Sequence, residues 1–435
     1  MRRKTRSSTT PILGRFALLT ALLLALLMAG RAGAQFLQYT PPGGPVEKPE
    51  SRRVQLEREL KDARYHLGPV RIAPWASLHD LAYVHSLLVT GQHLPDDVTA
   101  TGGAGFRAYL PNGADAYWSL SVLPEYVWWL RQTGRRQLNG RYLLDFSGFF
   151  NHLTIEVRGG REQRQQLVSP EVTVPVSTRR DGGEVLAELR LSNAFSAFGV
   201  VSANRQNNLV EDLGEPSTEQ LSLLDSDERI ERAGLRWRPD PQWSLGVGAE
   251  HSEVRFLHGT LDRSNSGTAP LAEIRFQAKN VGFQLDAAAR SLTASRGAAF
   301  VPYHKVTGSA ALLFGSEGRA GASLYTSRNL VYSLSPLYAY LDDQRVGAAM
   351  TIKLGRRTRS RFFVEGGQND YTAFSAATPH RRDDVISYGG SLTFDIRGGL
   401  SFELQGLRSQ FTSNLHSGDR NYSSIGATIN LAGFQ

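Results

Sequence analysis

The sequence predicts an all-β protein, a single transmembrane antiparallel β-barrel of about 18 strands, within a range of about 16–18. Three observations lead to this fold class. Apolar and polar residues alternate along short segments, tight turns recur roughly every 40 residues, and longer polar connections lie between those turns. Outside the N-terminus the 435-residue chain has no apolar run of about 18 residues, which excludes a bundle of transmembrane helices.

The alternation is clearest in residues 391–411. Leu392 and Phe394 stand at alternate positions before a Gly-rich turn, and Phe402 and Leu404 do so after it, with Ser, Thr, Asp, Glu or Gln between them. Successive side chains of a strand point to opposite faces, so the segment predicts a hairpin with one apolar and one polar face. A soluble sandwich shows the same alternation, and the hairpin alone does not choose between the two folds.

The connections between strands fall into two classes. The tight turns are Pro111-Asn112-Gly113, Asn151-His152, Ser192-Asn193, Pro239-Asp240-Pro241, Lys279-Asn280, Gly315-Ser316-Glu317-Gly318, Gly355-Arg356-Arg357 and Arg397-Gly398-Gly399. The longer, more polar connections are 89–97, 131–138, 162–169, 206–227, 257–266, 294–300, 331–336, 373–383 and 412–420. Short turns at one end and long loops at the other are typical of outer-membrane barrels with periplasmic turns, whereas a soluble sandwich does not sort its connections this way.

One strand is expected to be irregular. The parity of the apolar residues changes between Val176 and Val185, on either side of the polar segment 177–183. Because a one-residue slip moves every side chain to the opposite face, this change predicts a β-bulge or a bend within the segment.

The N-terminus predicts a cleaved signal peptide. Basic residues precede the apolar run 16–29, and Ala32-Gly33-Ala34 supplies the small residues that a signal peptidase needs, so Gln35 is the expected mature start. The alternative is an uncleaved membrane anchor, which the shortness of the apolar run disfavours. The expected regions are a signal peptide over 1–34, a periplasmic Pro-rich linker over 35–68 and an outer-membrane β-barrel over 69–435, in a Gram-negative envelope.

Charge and cysteine content narrow the function classes. The formal net charge is +8, but six Arg or Lys and no acid lie in residues 1–34, so the mature chain carries about +2. This near-neutral balance gives no support for a nucleic-acid partner. The absence of cysteine excludes a disulfide framework and a thiolate zinc site.

The linker has two interpretations. Residues 38–50 are rich in Pro and Gly, and the following segment is compatible with a short helix in which Val54, Leu56 and Leu60 are loosely clustered. A solvated periplasmic tether is favoured over a helix that docks on a partner.

Each barrel strand should present one face to lipid and the other to a polar lumen. The candidate lumen-lining residues are Arg107, Arg141, Asp145, Arg232, Arg236, Glu250, Asp286, Arg290, Arg361, Glu365, Asp395 and Glu403. The candidate periplasmic aromatic girdle is Trp118, Trp237, Trp243, Phe394 and Phe402, to which the turn-proximal Phe149, Phe276, Phe283 and Phe314 are added. Because neither sign of charge dominates the lumen, weak discrimination between small anions and cations is expected.

The chain end also suggests a membrane barrel. Ile425, Ala427, Ile429 and Leu431 alternate with polar or small residues, and the aromatic Phe434 follows one residue before the end. This pattern looks like the C-terminal strand that the β-barrel assembly machinery binds, although the aromatic is penultimate and out of parity.

Residues 65–435, with segments such as "LGPVRIAPWASLHDLAYV", "GLRWRPDPQWSLGVGAEHSEVRF" and "RRDDVISYGGSLTF", resemble the outer-membrane β-barrel porins associated with exopolysaccharide export loci. The resemblance implies an integral outer-membrane channel that completes a polysaccharide secretion route. It also implies the assembly machinery and a periplasmic polysaccharide export protein as partners. It brings no catalytic motif.

The sequence shows no motif for chemistry. The ten His are scattered, without a metalloprotease, hydrolase or phosphate-loop motif, so no catalytic residue, metal ligand or cofactor is predicted. The alternatives are a general porin for small solutes, with no polysaccharide role, and a barrel enzyme that acts on lipids, which would need Ser, His and a carboxylate or amide on one face.

Two charged groups of the predicted loops suggest further roles. The acidic connection 206–227 could fold inward as a constriction, with a solvated loop as the favoured alternative. Arg131, Arg135, Arg136 and the pair Arg381-Arg382 could bind phosphates of lipopolysaccharide, which with outer-membrane lipid is an expected partner.

Overall fold

A computed structural model describes residues 51–432, except 86, 90–91, 95, 173–174, 210–220, 260–261, 316–318, 397–399 and 416–417. The predicted signal peptide, most of the Pro-rich linker and Phe434 therefore lie outside the described residues. The described part contains the α-helix α1 (Arg52–Asp62), a 3-10 turn at Thr133–Arg135 and 21 β-strands.

The strands of the N-terminal half are β1 (Tyr65–Leu67), β2 (Val70–His85), β3 (Leu87–Val89), β4 (Gln92–Leu94), β5 (Asp97–Asn112), β6 (Ala116–Trp129), β7 (Gln137–Phe149), β8 (Leu153–Gln166), β9 (Val176–Arg190) and β10 (Phe195–Leu209). Those of the C-terminal half are β11 (Ser226–Trp237), β12 (Trp243–Phe256), β13 (Asn265–Gln277), β14 (Val281–Ala294), β15 (Tyr303–Phe314), β16 (Ala320–Tyr332), β17 (Tyr338–Lys353), β18 (Thr358–Ala373), β19 (Arg382–Asp395), β20 (Leu400–Ser413) and β21 (Arg420–Ala432).

Strands β2 and β5–β21 form a closed antiparallel barrel of 18 strands, which confirms the predicted fold class. Each strand pairs with the next along the chain, and β2 pairs with β21 to close the sheet. Closure satisfies the backbone groups of both terminal strands, which an open sheet would leave unpaired. The short strands β3 and β4 form a separate hairpin in the connection that follows β2.

The connections are sorted between the two ends of the barrel as predicted. One end, the short-turn end, carries connections of three to five residues, whereas connections of five to 16 residues lie at the opposite, long-loop end. The first strand begins and the last strand ends at the short-turn end.

The two faces of the wall differ in polarity. Val247 on β12 and Val346 on β17 are each 63% exposed, whereas Glu250 on β12 is 2% exposed. A soluble protein has a polar exterior and an apolar interior. This wall has an apolar exterior and a polar, enclosed face, which is the arrangement that a barrel adopts in lipid. In the described ranges, none of the helical segments has the length and hydropathy needed to cross a bilayer.

The predicted irregularity in 177–183 is wrong. Strand β9 pairs with β8 and β10 in an unbroken register, and Val172 lies before the strand. Val176, its first residue, packs inside the barrel, whereas Val185 is 47% exposed, so the parity change reflects apolar residues on opposite faces of one strand. The register shifts instead in β2 between Leu78 and Leu81, around Asp80, whose φ of 52° is the only positive value of a described non-glycine residue.

Helix α1 packs against the barrel at the short-turn end. Ser51 caps its N-terminus by accepting a hydrogen bond from the backbone of Val54. Leu56 and Leu60 are buried in a cluster with Tyr109, and the cluster also contains Ala63, Tyr117 and the packed ring of Phe149. The favoured solvated tether therefore does not describe 52–62, and Phe149 belongs to this cluster instead of the outward girdle.

Candidate functional site: the lumen of the barrel

Charged side chains on the inner face of the wall are linked into ion pairs across strands. Glu250 lies between Arg232, at 2.6 Å, and Arg290, with which it also forms a hydrogen bond. Arg290 is 4% exposed and donates a further hydrogen bond to Thr307 on the next strand. Such charges are tolerated inside a protein because each is paired and hydrogen-bonded.

Three other predicted lumen residues belong to similar pairs. Asp145 accepts hydrogen bonds from Arg158, at 2.7 Å, and from Ser119. Arg236 bridges two carboxylates, Glu188 at 2.6 Å and Glu273 at 3.0 Å. Asp286 pairs with Arg275 at 2.8 Å. The mixed signs neutralise one another locally, so the wall carries alternating charges instead of a field of one sign.

The remaining predicted residues have separate positions. Arg107 and Arg141 line one internal cavity, and Arg361 and Glu403 line another. Glu365 accepts a hydrogen bond from Tyr325 at 3.0 Å. Asp395 is exposed at the short-turn end of β19.

The first cavity has a volume of about 370 Å³ and lies beside the β2 bulge. His79 contacts the carboxylates of Asp80, at 2.7 Å, and Glu125, at 3.1 Å, through its two ring nitrogens. Sequence reasoning missed these groups because the bulge interrupts the alternation of β2. The positive φ of Asp80 has no signal in the sequence pattern.

The second cavity also has a volume of about 370 Å³ and shares Asp80 and Gln165 with the first. Its wall is formed by β2, β5, β8 and β18–β21 and by the two ends of the connection 167–175. A smaller space of about 140 Å³ meets the first cavity at Arg141 and Glu162. The three spaces are therefore neighbours inside the barrel, and each has a volume in the lower range of known ligand pockets or below it.

At the long-loop end, the tip of the β16–β17 hairpin separates from strand β15, while β17 stays paired with β18. Pairing between β15 and β16 stops at Gly308 and Arg328, although β15 begins at Tyr303. Residues 330–334 and 338–343 are all buried, on both faces of the hairpin. A strand in a barrel wall has one face exposed to lipid, so burial of both faces places this tip against other parts of the protein.

The connection 167–175, called here the inner loop, reaches this hairpin tip. Glu171 of the inner loop accepts hydrogen bonds from the backbone of Leu334, at 2.5 Å, and from the hydroxyl of Ser333, at 2.9 Å. The carbonyl of Pro170 accepts a hydrogen bond from Arg420, at 2.8 Å, on strand β21. The inner loop thus crosses from β8 and β9 to the opposite wall.

A buried charge cluster holds the wall beneath the inner loop. The carboxylate of Asp383, which is fully buried, accepts hydrogen bonds from Arg381 and Arg420, both at 2.8 Å, and from Tyr371 at 3.1 Å. Arg381 also approaches Glu171 at 3.9 Å. Two acids and two arginines therefore connect the inner loop to β18, β19 and β21.

Two of the candidate arginines for binding lipopolysaccharide phosphates are engaged inside the protein instead. Arg381 is engaged inside the protein, and Arg135 donates hydrogen bonds to Gln132 and to the carbonyl of Pro175 while stacking on Trp129. Burial lowers the pKa of Arg135 to about 10. Neither of these two arginines is available to a lipopolysaccharide phosphate in this arrangement.

Apolar side chains fill the space between these elements. They form the loop-end cluster, which consists of Val127, Trp129, Val168, Val172, Val176, Leu221, Leu224, Val254, Phe256, Leu292, Phe300, Tyr303, Leu330, Tyr332, Leu334, Ala339, Tyr340 and Tyr422. The cluster joins the inner loop, the hairpin tip and strands from all sides of the barrel. The connection 206–227, for which a solvated loop was favoured over an inward constriction, contributes Leu221 and Leu224, while 210–220 lie outside the described residues.

The predicted girdle residues lie in aromatic pairs at the short-turn end. Trp118 pairs with Phe146, Trp237 with Phe195, Trp243 with Phe276, and Phe394 with Phe402, at centroid distances of 4.6–6.3 Å. The three tryptophans are 39–42% exposed. Outward aromatic pairs at one level are typical of the membrane–water interface.

One Ser–His contact lies on the outer face. Ser291 on β14 and His304 on β15 are opposite each other in register, and the serine hydroxyl is 3.0 Å from the Nδ1 of the histidine. Among the described residues, no carboxylate or amide is hydrogen-bonded to the other nitrogen of His304, and no group of three potential metal ligands occurs. The pair lacks the third group that orients a catalytic histidine.

The fold defines the class of protein as an 18-stranded transmembrane β-barrel. Comparisons with known proteins support this fold and nothing beyond it. No family model and no curated protein matches the chain. Among solved structures, OccAB3 of Acinetobacter baumannii aligns with a TM-score of 0.50 and 9% identity over 83% of this chain and 98% of that one. OpdL of Pseudomonas aeruginosa aligns with a TM-score of 0.48 and 10% identity over 82% of this chain and 98% of that one. OccK2 of the same organism, solved with glucuronate, aligns with a TM-score of 0.48 and 10% identity, covering 84% and 98% of the two chains.

Proposed function

We propose that this chain is an outer-membrane channel for hydrophilic solutes and that carbohydrate is the class of solute it carries. The observation that supports this function most strongly is a set of neighbouring cavities, lined by polar and apolar groups, inside a closed barrel with an apolar exterior. A barrel of 16–18 strands is wide enough to enclose an aqueous channel, whereas side chains fill a barrel of about eight strands.

Carbohydrate is proposed because of the composition of the inner wall. The wall presents hydroxyl, amide and paired charged groups, which can donate and accept hydrogen bonds with sugar hydroxyls. The resemblance of the sequence to porins of exopolysaccharide export loci favours export of a polymer over uptake of small nutrients. Lipopolysaccharide, the assembly machinery and a periplasmic export protein remain the proposed partners.

Passage of a polymer requires a change at the long-loop end. The inner loop and the hairpin tip of β16–β17 meet there inside the barrel, and the loop-end cluster fills the space between them. We propose that the described arrangement is the closed state of the channel and that the inner loop moves when solute passes.

Two experiments test the channel. The refolded protein in a planar bilayer should give discrete conductance steps, and a membrane without steps at any voltage would contradict a channel. Deletion of the gene should reduce secreted polysaccharide. Undiminished polymer together with lost permeability to small sugars would rule out export and leave a general porin.

A lipid enzyme is the second candidate, and the contact between Ser291 and His304 is the observation that favours it. The pair lies on the outer face, where it would contact lipid. It lacks a third group that orients the histidine, so this function is the weaker of the two candidates. Release of fatty acid from phospholipid vesicles by the refolded protein, lost in Ser291→Ala, would establish the enzyme. No release, or release that the variant retains, would exclude it.

A further inference from the structure

We propose that the second cavity is a binding site for neutral sugar residues. This inference rests on the carbohydrate channel proposed above and names the solute class and the residues. The cavity lies inside the barrel below the inner loop, between β2, β5 and β18–β21. Its volume of about 370 Å³ is within the range of small-molecule sites.

The polar lining can both donate and accept hydrogen bonds. Gln165 and Gln405, on opposite sides of the cavity, present amides, and Ser391 and Ser424 present hydroxyls. Each amide carries donors and an acceptor, and each hydroxyl can act as either. A sugar ring carries several hydroxyls with the same dual character, so this lining matches it without requiring a charge on the solute.

The apolar lining offers flat surfaces. Phe363 on β18 and Tyr422 on β21 both line the cavity. The faces of aromatic rings pack against the C–H groups of a sugar ring, while the sugar hydroxyls project sideways toward polar partners. Aromatic faces combined with dual hydrogen-bonding groups distinguish a sugar site from a site for a simple ion.

The charges of the lining disfavour an anion. Two carboxylates, Asp80 and Glu403, face the cavity, whereas Arg361 is the one basic side chain among its described lining residues. Asp80 is held by His79 at 2.7 Å, so the local balance is near neutral or slightly acidic. A uronic acid would bring its carboxylate toward Glu403, while a neutral sugar would not meet this repulsion.

The wall next to the cavity supplies a second observation. Ser387, Ser409 and Tyr422 lie opposite one another on β19, β20 and β21, and Tyr422 lines the cavity. The hydroxyls of Ser387 and Ser409 are at least 98% buried and make no hydrogen bond with the protein. Buried hydroxyls without a partner cost free energy, and these two lie on the cavity side of the wall, next to the proposed ligand.

Titration calorimetry on the refolded barrel tests the site directly. Maltose should bind, and glucuronate should bind more weakly. Gln405→Ala should weaken maltose binding about fivefold by removing hydrogen bonds, and Phe363→Ala by up to about tenfold by removing a ring face. Gln410→Ala is the matched control, because Gln410 lies on the opposite face of the same strand and should bind maltose like the parent.

A charge variant tests the selectivity. Glu403→Gln should raise the affinity for glucuronate relative to maltose several-fold, because it removes the repulsive carboxylate. Correct folding of each variant is checked by the heat-dependent shift of the barrel in gel electrophoresis. Maltohexaose that binds more tightly than maltose would identify a polymer segment as the ligand, and equal affinities would identify a small sugar.

The outcomes separate this inference from the channel function. Absence of maltose binding, tighter binding of glucuronate, or equal effects of Gln405→Ala and Gln410→Ala would overturn the sugar site even if the bilayer shows conductance. Maltose binding with the expected variant effects would support the site even if the bilayer stays silent, in which case the proposed channel fails instead.

Discussion

At the long-loop end of the barrel, side chains from many strands meet inside the wall, whereas at the short-turn end aromatic side chains pair on the outside. The loop-end cluster and the charges around Asp383 hold the first region together. The second has an outward girdle and the helix α1, which packs on one part of the inner wall. Internal contacts therefore dominate one end, and aromatic side chains on the outer face dominate the other.

The difference between the two ends predicts that substitutions at each end will affect stability to different extents. A buried ionic cluster fails when one member is removed, because its partners are left as unpaired charges. A lipid-facing residue responds according to the polarity of the new side chain and its depth. The following substitutions test this comparison.

The largest effect is expected at Asp383. Asp383→Ala leaves the guanidinium groups of Arg381 and Arg420 without their shared carboxylate and should destabilise the long-loop end by about 3–5 kcal/mol. Urea unfolding in lipid vesicles would measure the loss, and open time in a planar bilayer should rise because the wall beneath the inner loop loosens.

Asp384→Ala is the control for this experiment. The side chain of Asp384 is 68% exposed and has one long contact with Arg382, at 3.4 Å, so its removal should cost less than about 1 kcal/mol. Equal losses for the two neighbouring aspartates would show that the charge cluster does not hold the long-loop end.

The second effect concerns the wall. Leu404 is 44% exposed on the outer face, and Gln405 lines the second cavity. Leu404→Arg should destabilise by about 2–4 kcal/mol near the bilayer midplane and less toward the interfaces, whereas Gln405→Arg should mainly change selectivity. Unfolding in vesicles compares the two variants, and reversed sensitivities would mean that the two faces of β20 have been exchanged.

A smaller effect is expected at α1. Leu56 is 1% exposed and packs against the barrel, so Leu56→Ala should weaken docking of the helix by about 2 kcal/mol. Val54 is 50% exposed, and Val54→Ala should change little. Protease cleavage within 52–62 should accelerate in the first variant only. Equal cleavage rates would show that α1 is held by other contacts.

The strands and the two faces of the wall could be predicted because the rule that assigns a side chain to a face depends only on neighbouring residues in the sequence. Alternation with a period of two follows from strand geometry, so residues such as Leu404 and Glu250 can be assigned to a face without knowledge of their neighbours. Even there, the absence of a bulge in 177–183 shows that a parity change does not require an irregular strand.

The closure of the long-loop end could not be predicted in the same way. Glu171 bonds to Ser333 and Leu334, more than 160 residues away, and no periodicity in the sequence connects a loop with a hairpin tip. Arg135 and Arg381 were candidates for phosphate binding, with solvated loop arginines as the favoured alternative. Only the tertiary packing shows that Arg135 is 7% exposed and that Arg381 is paired with Asp383. Likewise, the site around His79 depends on the bulge in β2, which interrupts the alternation of apolar and polar residues.

The smallest expected effect is that of a tag in a loop, and it tests which end faces out of the cell. Insertion of a short epitope after Leu213, which lies outside the described residues in the long connection 210–225, should leave the barrel's stability unchanged because loops tolerate added length. An antibody should label this tag on intact cells. The same tag between Ser192 and Asn193, in a short turn, should be labelled only after permeabilisation, because short turns face the periplasm in outer-membrane barrels. The reverse pattern would mean that the long-loop end faces the periplasm, and the proposed movement of the inner loop would then control entry of solute from inside the cell instead of its exit at the surface.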